Sequence, residues 1–260
     1  MNTTLDQRSV FIRWIPIWQR HAKVWSNLIG PALLGNIGEP LLYLFGLGYG
    51  LGVFVGTVDG MDYVTFLASG ILCSSAMNTA SFEGMYSAYT RMAVQYTWNG
   101  MLSTPLNVAD IILAEAIWGG TKSLISGIAI LLVASLMGLV DSIAAIWVLP
   151  IVFLVGVCFN LLGLIVTSMS HSYDFFLYYF TLVLTPMLLL SGVFFPVEQM
   201  PVEIQQFAEL LPLSHAIQLV RPLMTGGELQ SLFLHFSVLL LYIVIAYPIA
   251  VKRISLRLMD

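Results

Sequence analysis

Charged side chains are scarce in this sequence: they make up 9% of its 260 residues, whereas 58% of the residues are apolar. Soluble domains carry about a quarter charged residues, so this composition excludes an ordinary soluble domain and predicts a protein that lies mostly in lipid. Cysteine is rare too, and both Cys73 and Cys158 lie inside apolar runs, which argues against a disulfide framework. Residues 1–27 are charged and aromatic, so a cleavable signal peptide is not expected.

Catalytic and nucleotide-binding motifs are also missing. The stretch GGTKS at 119–123 has a Lys-Ser pair but lacks the glycine immediately before Lys122 that a phosphate-binding loop needs. The four histidines are scattered without the spacing of zinc ligands, and no G-x-S-x-G nucleophile elbow is present. We therefore expect neither an enzyme nor a metal site. If the protein pumps, the energy has to come from a partner or from an ion gradient.

Long apolar runs are what the sequence has in abundance. A helix needs about 20 mostly apolar residues to cross roughly 30 Å of hydrocarbon. The runs that meet this need lie near residues 28–56, 63–86, 107–138, 143–169, 174–195 and 229–250. The predicted fold class is therefore an all-α polytopic membrane protein with six transmembrane helices.

Basic residues are distributed unevenly between the two sides of these runs. One side carries Arg8, Arg13, Arg20, Lys23, Arg91, Lys252, Arg253 and Arg257. The other side carries Asp59, Asp62, Asp141, Glu198, Glu203, Glu209 and Glu228, against the single basic residue Arg221. Because loops rich in Lys and Arg stay in the cytoplasm, both termini are predicted to be cytoplasmic.

The segment ahead of the first run has the pattern of an amphipathic helix. Its aromatic and small residues recur at three- and four-residue spacing, at Phe11, Trp14, Trp18, Ala22 and Trp25. Tryptophan rings and basic groups are both favoured at the membrane interface, so residues 1–27 are predicted to form a helix lying on the inner surface of the membrane. A plain cytosolic tail is the alternative.

A second amphipathic stretch, residues 91–103, lies between the second and third runs. One helical stripe contains Val94, Trp98 and Met101, and another contains Arg91, Gln95 and Asn99. A short helix of this kind either lies on the bilayer or docks into a groove on a soluble partner, and the pattern alone leaves both open.

The fifth run ends at Pro196 and is followed by a segment that is too short to span and too apolar to float free. Residues 198–212 read EQMPVEIQQFAELLP and predict an amphipathic helix, so 196–222 is predicted to re-enter the outer leaflet and to gate the outer mouth of a path. The residues assigned to this gate are Pro196, Glu198, Pro201, His215 and Arg221. Arg221 is predicted to pair with a carboxylate such as Glu209 or Glu228, to meet an anionic lipid or cargo group, or to act as an interfacial anchor.

Of the ionisable residues inside the apolar runs, Glu39 and Lys122 are singled out. A charge in hydrocarbon is costly, so Glu39 is a functional candidate. Lys122 either extends to the inner interface as an anchor, which is the favoured interpretation, or meets a carboxylate. The first run also contains two overlapping pairs of small residues that permit close helix contact, between two chains or within one. They are Gly46 with Gly50 and Gly48 with Gly52.

Four ordered stretches resemble the permease subunits of type-two ABC exporters, in particular the nodulation-protein J family of lipo-oligosaccharide exporters. They are EPLLYLFGLGYGLG, WNGMLSTPLNVADIILAE, LTPMLLLSGVFFPVEQMP and SHAIQLVRPLM. The resemblance covers nearly the whole chain. It implies an N-terminal connecting helix within 1–27, a transmembrane domain over 28–260, a coupling helix at 91–103 that meets an ATPase, and re-entrant helices before the last span. The residues assigned to the ATPase contact are Arg91, Val94, Gln95, Trp98, Asn99 and Met101, with Arg91 and Trp98 expected to matter most.

The same resemblance implies partners and a cargo. It implies a homodimer of permeases in the bacterial inner membrane, bound to two copies of a cytoplasmic ABC ATPase that holds the ATP and magnesium. This chain then needs no cofactor, and its partners are membrane lipid and a lipid-linked or saccharide substrate rather than nucleic acid. Related exporters move drugs or other cargo, so a non-saccharide cargo is an alternative.

A saccharide offers hydroxyl groups and stackable ring faces, so a path for it is expected to be lined by aromatic and small polar side chains. The path candidates are Glu39, Tyr43, Tyr49, Phe82, Tyr86, Tyr178 and Tyr179. An ion-coupled secondary transporter is the alternative from a different class. It predicts paired acids near the midplane and an inverted repeat, and the sequence shows neither.

Overall fold

Helices account for most of the residues described by the computed structural model, which are 12–27, 30, 38, 40–229 and 231–259. Within the first half of the chain the α-helices are α1 Trp14–Ser26, α2 Pro40–Val55, α3 Tyr63–Phe82, α4 Thr97–Leu102 and α5 Val108–Leu136. Within the second half they are α6 Val148–Met169, α7 Asp174–Leu190, α8 Val202–Ala208, α9 Pro212–Thr225 and α10 Leu232–Met259. Short 3₁₀ turns occur at Ile143–Trp147 and Val197–Gln199.

Three helices of the described part of the chain are long and apolar enough to cross a membrane. They are α5, the continuous helical stretch Ile143–Met169 that contains α6, and α10. Helices α2 and α7 are apolar but shorter, and α3 has 20 residues before a change of helix type at Glu83. The predicted count of six spans is therefore not established by helix length and composition, although the chain is clearly built to lie in a membrane.

Several of the predicted apolar runs end at other residues than the helices do. The run at 174–195 ends as a helix at Leu190, because the chain turns at Gly192 with φ 82°. The run at 229–250 continues as α10 to Met259, nine residues further than predicted. That extension is fixed to α6, because Arg257 Nη1 donates to the Thr167 carbonyl over 2.6 Å. The third run begins close to its predicted start, since Asn107 and Asp110 form a reciprocal capping box ahead of α5.

Helix α6 lies at the centre of the packing, in contact with α3, α5, α9 and α10. It packs closely against α5, where small residues face one another. A Cβ built on Gly156 would lie 2.6 Å from the Ser123 Cβ and 2.8 Å from the Gly120 Cα. Small residues at such a crossing let two helix backbones come close, as is typical of helices packed in membranes.

Four segments of these helices are π-helical: Leu44–Tyr49, Glu83–Ser87, Thr90–Val94 and Phe180–Leu184. The first and last interrupt α2 and α7, and the middle two continue α3 towards α4. Single π turns are rare and are concentrated at functional sites, because the extra residue re-aims the side chains around it. These segments therefore mark the region in which to look for a site.

The connection between α2 and α3 contains a two-stranded antiparallel hairpin, which the sequence analysis did not predict. Strands β1 Thr57–Val58 and β2 Met61–Asp62 pair through a turn at Asp59 and Gly60. Both turn residues have positive φ, 49° and 77°, as a type I′ turn requires. The Asp-Gly dipeptide was a readable signal for this turn.

Helix α1 covers residues 14–26 of the predicted amphipathic segment 1–27, and residues 1–11 lie outside the described residues. Its aromatic stripe packs on α5 instead of lying wholly in lipid. Trp18 Nε1 donates to the Thr121 hydroxyl over 3.0 Å, and the rings of Trp18 and Trp25 lie edge-on to Trp118. The interpretation of this stripe as purely interfacial is therefore wrong for these two rings.

Candidate functional site: an ion cluster beside an uncharged cavity

Charged side chains from α3, α5 and the segment between them meet inside the protein, at the ends where α1 and α4 also pack. We call this group the ion cluster; its members are Glu83, Arg91, Glu115 and Lys122, with His21 and Trp98 in contact. Arg91 bridges the two acids: its Nη2 donates to Glu83 Oε1 over 2.7 Å, and its Nε donates to Glu115 Oε1 over 2.9 Å. Lys122 Nζ donates to Glu83 Oε2 over 2.8 Å.

Glu115 is the residue that joins the most elements. It is fully buried on α5, and besides Arg91 it accepts a hydrogen bond from Trp98 Nε1 of α4 over 3.2 Å. His21 of α1 places its Nε2 3.2 Å from Glu115 Oε1. The Glu115 carboxylate therefore contacts α1, α4 and the segment that contains Arg91. Arg91 in turn contacts Glu83 at the end of α3, so that α3 is connected to the same cluster.

The ion cluster is neutral when His21 is neutral, because it contains two acids and two permanently basic groups. Buried charges are tolerated when each has a partner and its remaining donors or acceptors are satisfied, whereas removal of one partner is strongly destabilising. Because both acids are already paired with cations, the arrangement suits a fixed mechanical joint better than a site that takes up and releases an ion.

The structure corrects the sequence analysis at Lys122 and at two residues of the segment 91–103. Lys122 meets a carboxylate, so its interpretation as an anchor extending to the interface is wrong. Arg91 and Trp98 were expected to face a partner protein, but both side chains point inward to Glu115, and Trp98 is fully buried.

The segment itself is also not the single helix predicted over 91–103. A π turn covers Thr90–Val94, and α4 begins only at Thr97, because Tyr96 adopts a left-handed conformation with φ 52°. The surface that remains available to a partner consists of the exposed Val94, Gln95, Tyr96 and Asn99, with Met101 partly exposed. Tyr96 is the member of this surface that sequence reasoning missed.

A cavity of about 590 Å³ lies between α2, α3 and α7. Its aromatic lining is Tyr43, Phe82, Phe180 and Phe194, and its polar lining is Ser74, Ser75, Asn78, Thr79 and Thr185. Among the described residues the lining has no charged side chain. Two of the π segments border this cavity, since Phe180 and Leu184 begin and end one, and Tyr43 directly precedes another.

The polar side chains that line the cavity differ in how many of their hydrogen-bond donors and acceptors are unused. The hydroxyls of Ser74 and Thr185 donate to carbonyls of their own helices, and Ser75 shares a hydrogen bond of 3.0 Å with Ser126. The Asn78 amide makes no hydrogen bond within the described part of the chain, so it has two donors and an acceptor available to a ligand. The cavity therefore combines ring faces with an uncommitted amide. Asn78 was not among the predicted path residues, although an amide inside the apolar run 63–86 was a readable signal.

The predicted path residues divide into two groups. Tyr43 and Phe82 line the cavity, and Tyr86 stacks on Phe82 with ring centroids 4.5 Å apart. Tyr49, Tyr178 and Tyr179 do not line it, so their place on a path stays a prediction. Glu39 lies outside the described residues. Sequence reasoning also missed Glu83, although an acid inside the run 63–86 was visible.

The predicted gate is built around Arg221 in α9, but without the predicted carboxylate. Its Nη2 donates to the Gly192 carbonyl over 2.7 Å, and its Nε donates to the Ser69 hydroxyl over 3.1 Å. Its guanidinium carbon lies 3.7 Å from the centroid of the Phe66 ring. Arg221 forms no ion pair with Glu209, Glu228 or any other carboxylate of the described residues. The predicted carboxylate pairing is therefore wrong, and the arginine instead joins the Gly192 turn to α3.

Backbone packing holds the same turn close to α3. A Cβ built on Gly70 would lie 2.7 Å from the Val193 Cα, so only glycine fits there. The segment 196–222 then divides into the 3₁₀ turn, α8 and α9, so the single helix predicted over 198–212 is wrong. Pro196 is buried, whereas Glu198 and Pro201 are exposed. His215 is buried and bonds to His235 of α10.

Comparison with known proteins identifies the family. Residues 16–225 match the model of the ABC-2 type transporter. The chain is 44% identical to Nodulation protein J of Rhizobium leguminosarum bv. viciae over 248 residues, which is 95% of this chain and 96% of that protein. It is 40% identical to Nodulation protein J of Bradyrhizobium diazoefficiens over 246 residues, 95% of this chain and 94% of the relative.

A more distant relative is the Inner membrane transport permease YadH of Escherichia coli, 24% identical over 237 residues, which cover 91% of this chain and 90% of that protein. These matches agree with the apolar helices described above. The chain is a membrane-embedded transport component, and it belongs to the ABC-2 type transporter family.

Proposed function

We propose that this chain is the transmembrane permease of an ATP-driven exporter, which moves a lipid-modified oligosaccharide or a polysaccharide across the bacterial inner membrane. The observation that carries the proposal is the cavity between α2, α3 and α7. Its aromatic faces suit the apolar faces of sugar rings and acyl chains, and its uncommitted Asn78 amide suits hydroxyl groups. An uncharged, amphipathic cargo is what such a lining favours.

In this proposal the chain has six spans, with both termini in the cytoplasm, and works as a homodimer with two copies of a separate ABC ATPase that binds ATP and magnesium. The glycine pairs support a contact between two copies. Gly48 and Gly52 pack on Val64 of α3, whereas a Cβ on Gly46 or Gly50 would meet nothing within 4 Å. The pair Gly46 and Gly50 is therefore accessible to a helix of a second copy.

The ATPase docks on the exposed surface of the segment 91–103, formed by Val94, Gln95 and Asn99. The inward-facing side chains of the same segment end in the ion cluster, so a movement of α4 would pull directly on Glu115 and α5. Arg91 carries the movement on to Glu83 at the end of α3, which is one of the helices that line the cavity. The segment 196–222 gates the outer end of the path, with Arg221 holding it to α3.

An ion-coupled carrier is the second candidate, because the structure brings the two acids Glu83 and Glu115 to one place. Paired acids of this kind serve as ion sites in secondary transporters when they are free to bind a cation. Here each acid is already paired with Arg91 or Lys122, which favours the exporter.

The proposal is tested by Asn78→Leu in vesicles that contain the permease and its ATPase. Loss of the amide is expected to reduce export of a lipid-linked oligosaccharide about two- to twelvefold, because hydrogen bonds to cargo hydroxyls are lost. Assembly with the ATPase should persist. The control is Ser135→Ala, an exposed residue of α5 whose hydroxyl bonds only to its own helix. Equal export by both variants would mean that the cargo does not pass through the cavity.

A further inference from the structure

Two histidines on the proposed outer side of the protein form a direct pair that the transport mechanism above does not use. His215 lies in the first turn of α9, and His235 lies in the first turn of α10. Their Nδ1 atoms are 2.8 Å apart, and both side chains are buried. The pair therefore joins the gate helix to the helix that follows it.

The hydrogen-bond partners assign the ring protons. His215 Nε2 lies 2.8 Å from the Glu209 carbonyl, which only accepts, so this nitrogen carries a proton. In a neutral His215 the Nδ1 is then bare and accepts, and His235 Nδ1 must donate to it. His235 Nε2 has no hydrogen-bond partner among the described residues. The pair is thus held by one shared proton between the two Nδ1 atoms.

Protonation affects this bond in two steps. The first added proton binds to His235 Nε2 and leaves the bond between the two Nδ1 atoms in place. A second proton has to occupy His215 Nδ1, which puts two N–H groups against each other at 2.8 Å. Two donors cannot bond, and the two positive rings, with centroids 5.0 Å apart, repel each other. The contact therefore survives one proton and fails with two.

Among the described residues, no carboxylate forms an ion pair with either ring that would compensate the doubly protonated pair. The elements packed against α9 and the start of α10 carry other titratable or charged groups: Tyr63, Cys73, Asp141, Cys158, Asp174, Glu198, Glu203, Arg221 and Tyr242. In the described part of the chain none of these makes a hydrogen bond or ion pair with either ring. The Glu209 side chain is exposed, and only its carbonyl reaches His215. One other hydrogen bond of the described residues joins this region to α10, from Tyr242 Oη to the Leu210 carbonyl over 2.7 Å.

We propose that the His215–His235 pair is a proton-sensitive latch, which holds the start of the gate helix α9 on α10 near neutral pH and releases it when the outer side becomes acid. This inference rests on the proposed function for the side of the membrane and for the role of α9 as a gate. Release loosens α9 at its first turns, while Arg221 still holds its far end to α3. The gate then opens more readily in acid.

Hydrogen exchange of the full chain in lipid nanodiscs tests the latch without any cargo. Exchange of the amides at 212–220 is followed by mass spectrometry at about pH 7.5 and about pH 4, the lower value because the second proton has to enter a pair that already carries one positive charge. Labelling times are scaled for the intrinsic pH dependence of amide exchange. The corrected rate in the native chain is expected to rise about two- to twelvefold at the acid pH, as the loss of one buried hydrogen bond implies.

Two variants of His235 separate the latch from general acid loosening. In His235→Asn the side-chain amide still donates to His215 Nδ1 but cannot be protonated, so exchange should be slow at both pH values. In His235→Leu the bond is absent, so exchange should be fast at both. Unchanged exchange in the native chain, an acid response that persists in His235→Asn, or slow exchange in His235→Leu would overturn the latch.

Cargo export by the permease with its ATPase, measured at the two outer pH values, tests the functional part separately. Faster export in acid by the native chain but not by His235→Asn supports the latch as a regulator of the gate. If hydrogen exchange responds to acid but no ATP-driven export is seen, the latch is supported and the proposed function is wrong. Export that is driven by ATP but equal at both pH values, with an exchange response present, removes only the regulatory role.

Discussion

Replacement of Glu115 and Arg91, singly and together, gives the sharpest prediction for the ion cluster. Glu115→Leu leaves the cluster with two cations and one acid, and Arg91→Met leaves it with two acids and one cation. Each change strands a buried charge, and removal of one partner of a buried ion pair typically costs about 3–5 kcal/mol. If the two effects were independent, the double variant would lose about 6–10 kcal/mol.

The double variant is instead expected to be far more stable than that sum. With both residues replaced by apolar side chains of similar volume, the remaining Glu83–Lys122 pair is neutral, at 2.8 Å. The main remaining loss is the hydrogen bond from Trp98 Nε1, whose buried donor is left without a partner at a cost of about 1–3 kcal/mol. The predicted coupling between the two sites is therefore several kcal/mol.

The measurement is the free energy of unfolding in mixed detergent micelles, followed by tryptophan fluorescence for the native chain, both single variants and the double variant. Glu203→Leu, which removes an exposed acid of α8, serves as the control and should change stability little. Stability losses that add to within about 0.5 kcal/mol would refute the reasoning, because residues that share a buried network do not behave as independent sites.

Two further changes test the helix crossing and the gate. Gly156→Val should destabilise the permease by about 1–3 kcal/mol or more, because its Cβ would lie 2.6 Å from the Ser123 Cβ. Unfolding in the same micelles measures this loss, and wild-type stability would mean that α5 and α6 move apart freely. Arg221→Ala should lower export per ATP hydrolysed while assembly survives, with Arg221→Lys intermediate because lysine keeps the charge but not the planar two-point contact. Export and hydrolysis both at native rates in Arg221→Ala would reduce that residue to a structural anchor.

The sequence predicted best what depends on local apolar length. The runs at 63–86 and 107–138 correspond closely to α3 with its π continuation and to α5, since about 20 apolar residues leave few alternatives to a helix. Helix ends were less predictable, because tertiary contacts set them. Helix α10 continues through basic residues to Met259, and its Arg257 is held by a carbonyl of α6 that is 90 positions away in the chain.

The candidate site was only partly readable for a related reason. Amphipathic spacing placed Arg91 and Trp98 on two different stripes of one short helix. Spacing alone does not indicate which stripe faces the rest of the protein. Both side chains turn inward because Glu115, which lies on the next long helix 24 and 17 residues further along the chain, offers them a buried carboxylate. In the same way, a lone outer arginine suggested an acid partner, whereas Arg221 finds a carbonyl, a hydroxyl and an aromatic face.

ATP-driven export is decided by cargo uptake into inside-out membrane vesicles that contain this chain and the proposed ABC ATPase. A lipid-linked oligosaccharide is expected to accumulate when ATP is supplied and not to accumulate with a non-hydrolysable ATP analogue. Uptake is also expected to continue when ionophores collapse the proton and sodium gradients. Uptake that needs no ATP hydrolysis and stops when a gradient is collapsed would contradict ATP-driven export through this permease.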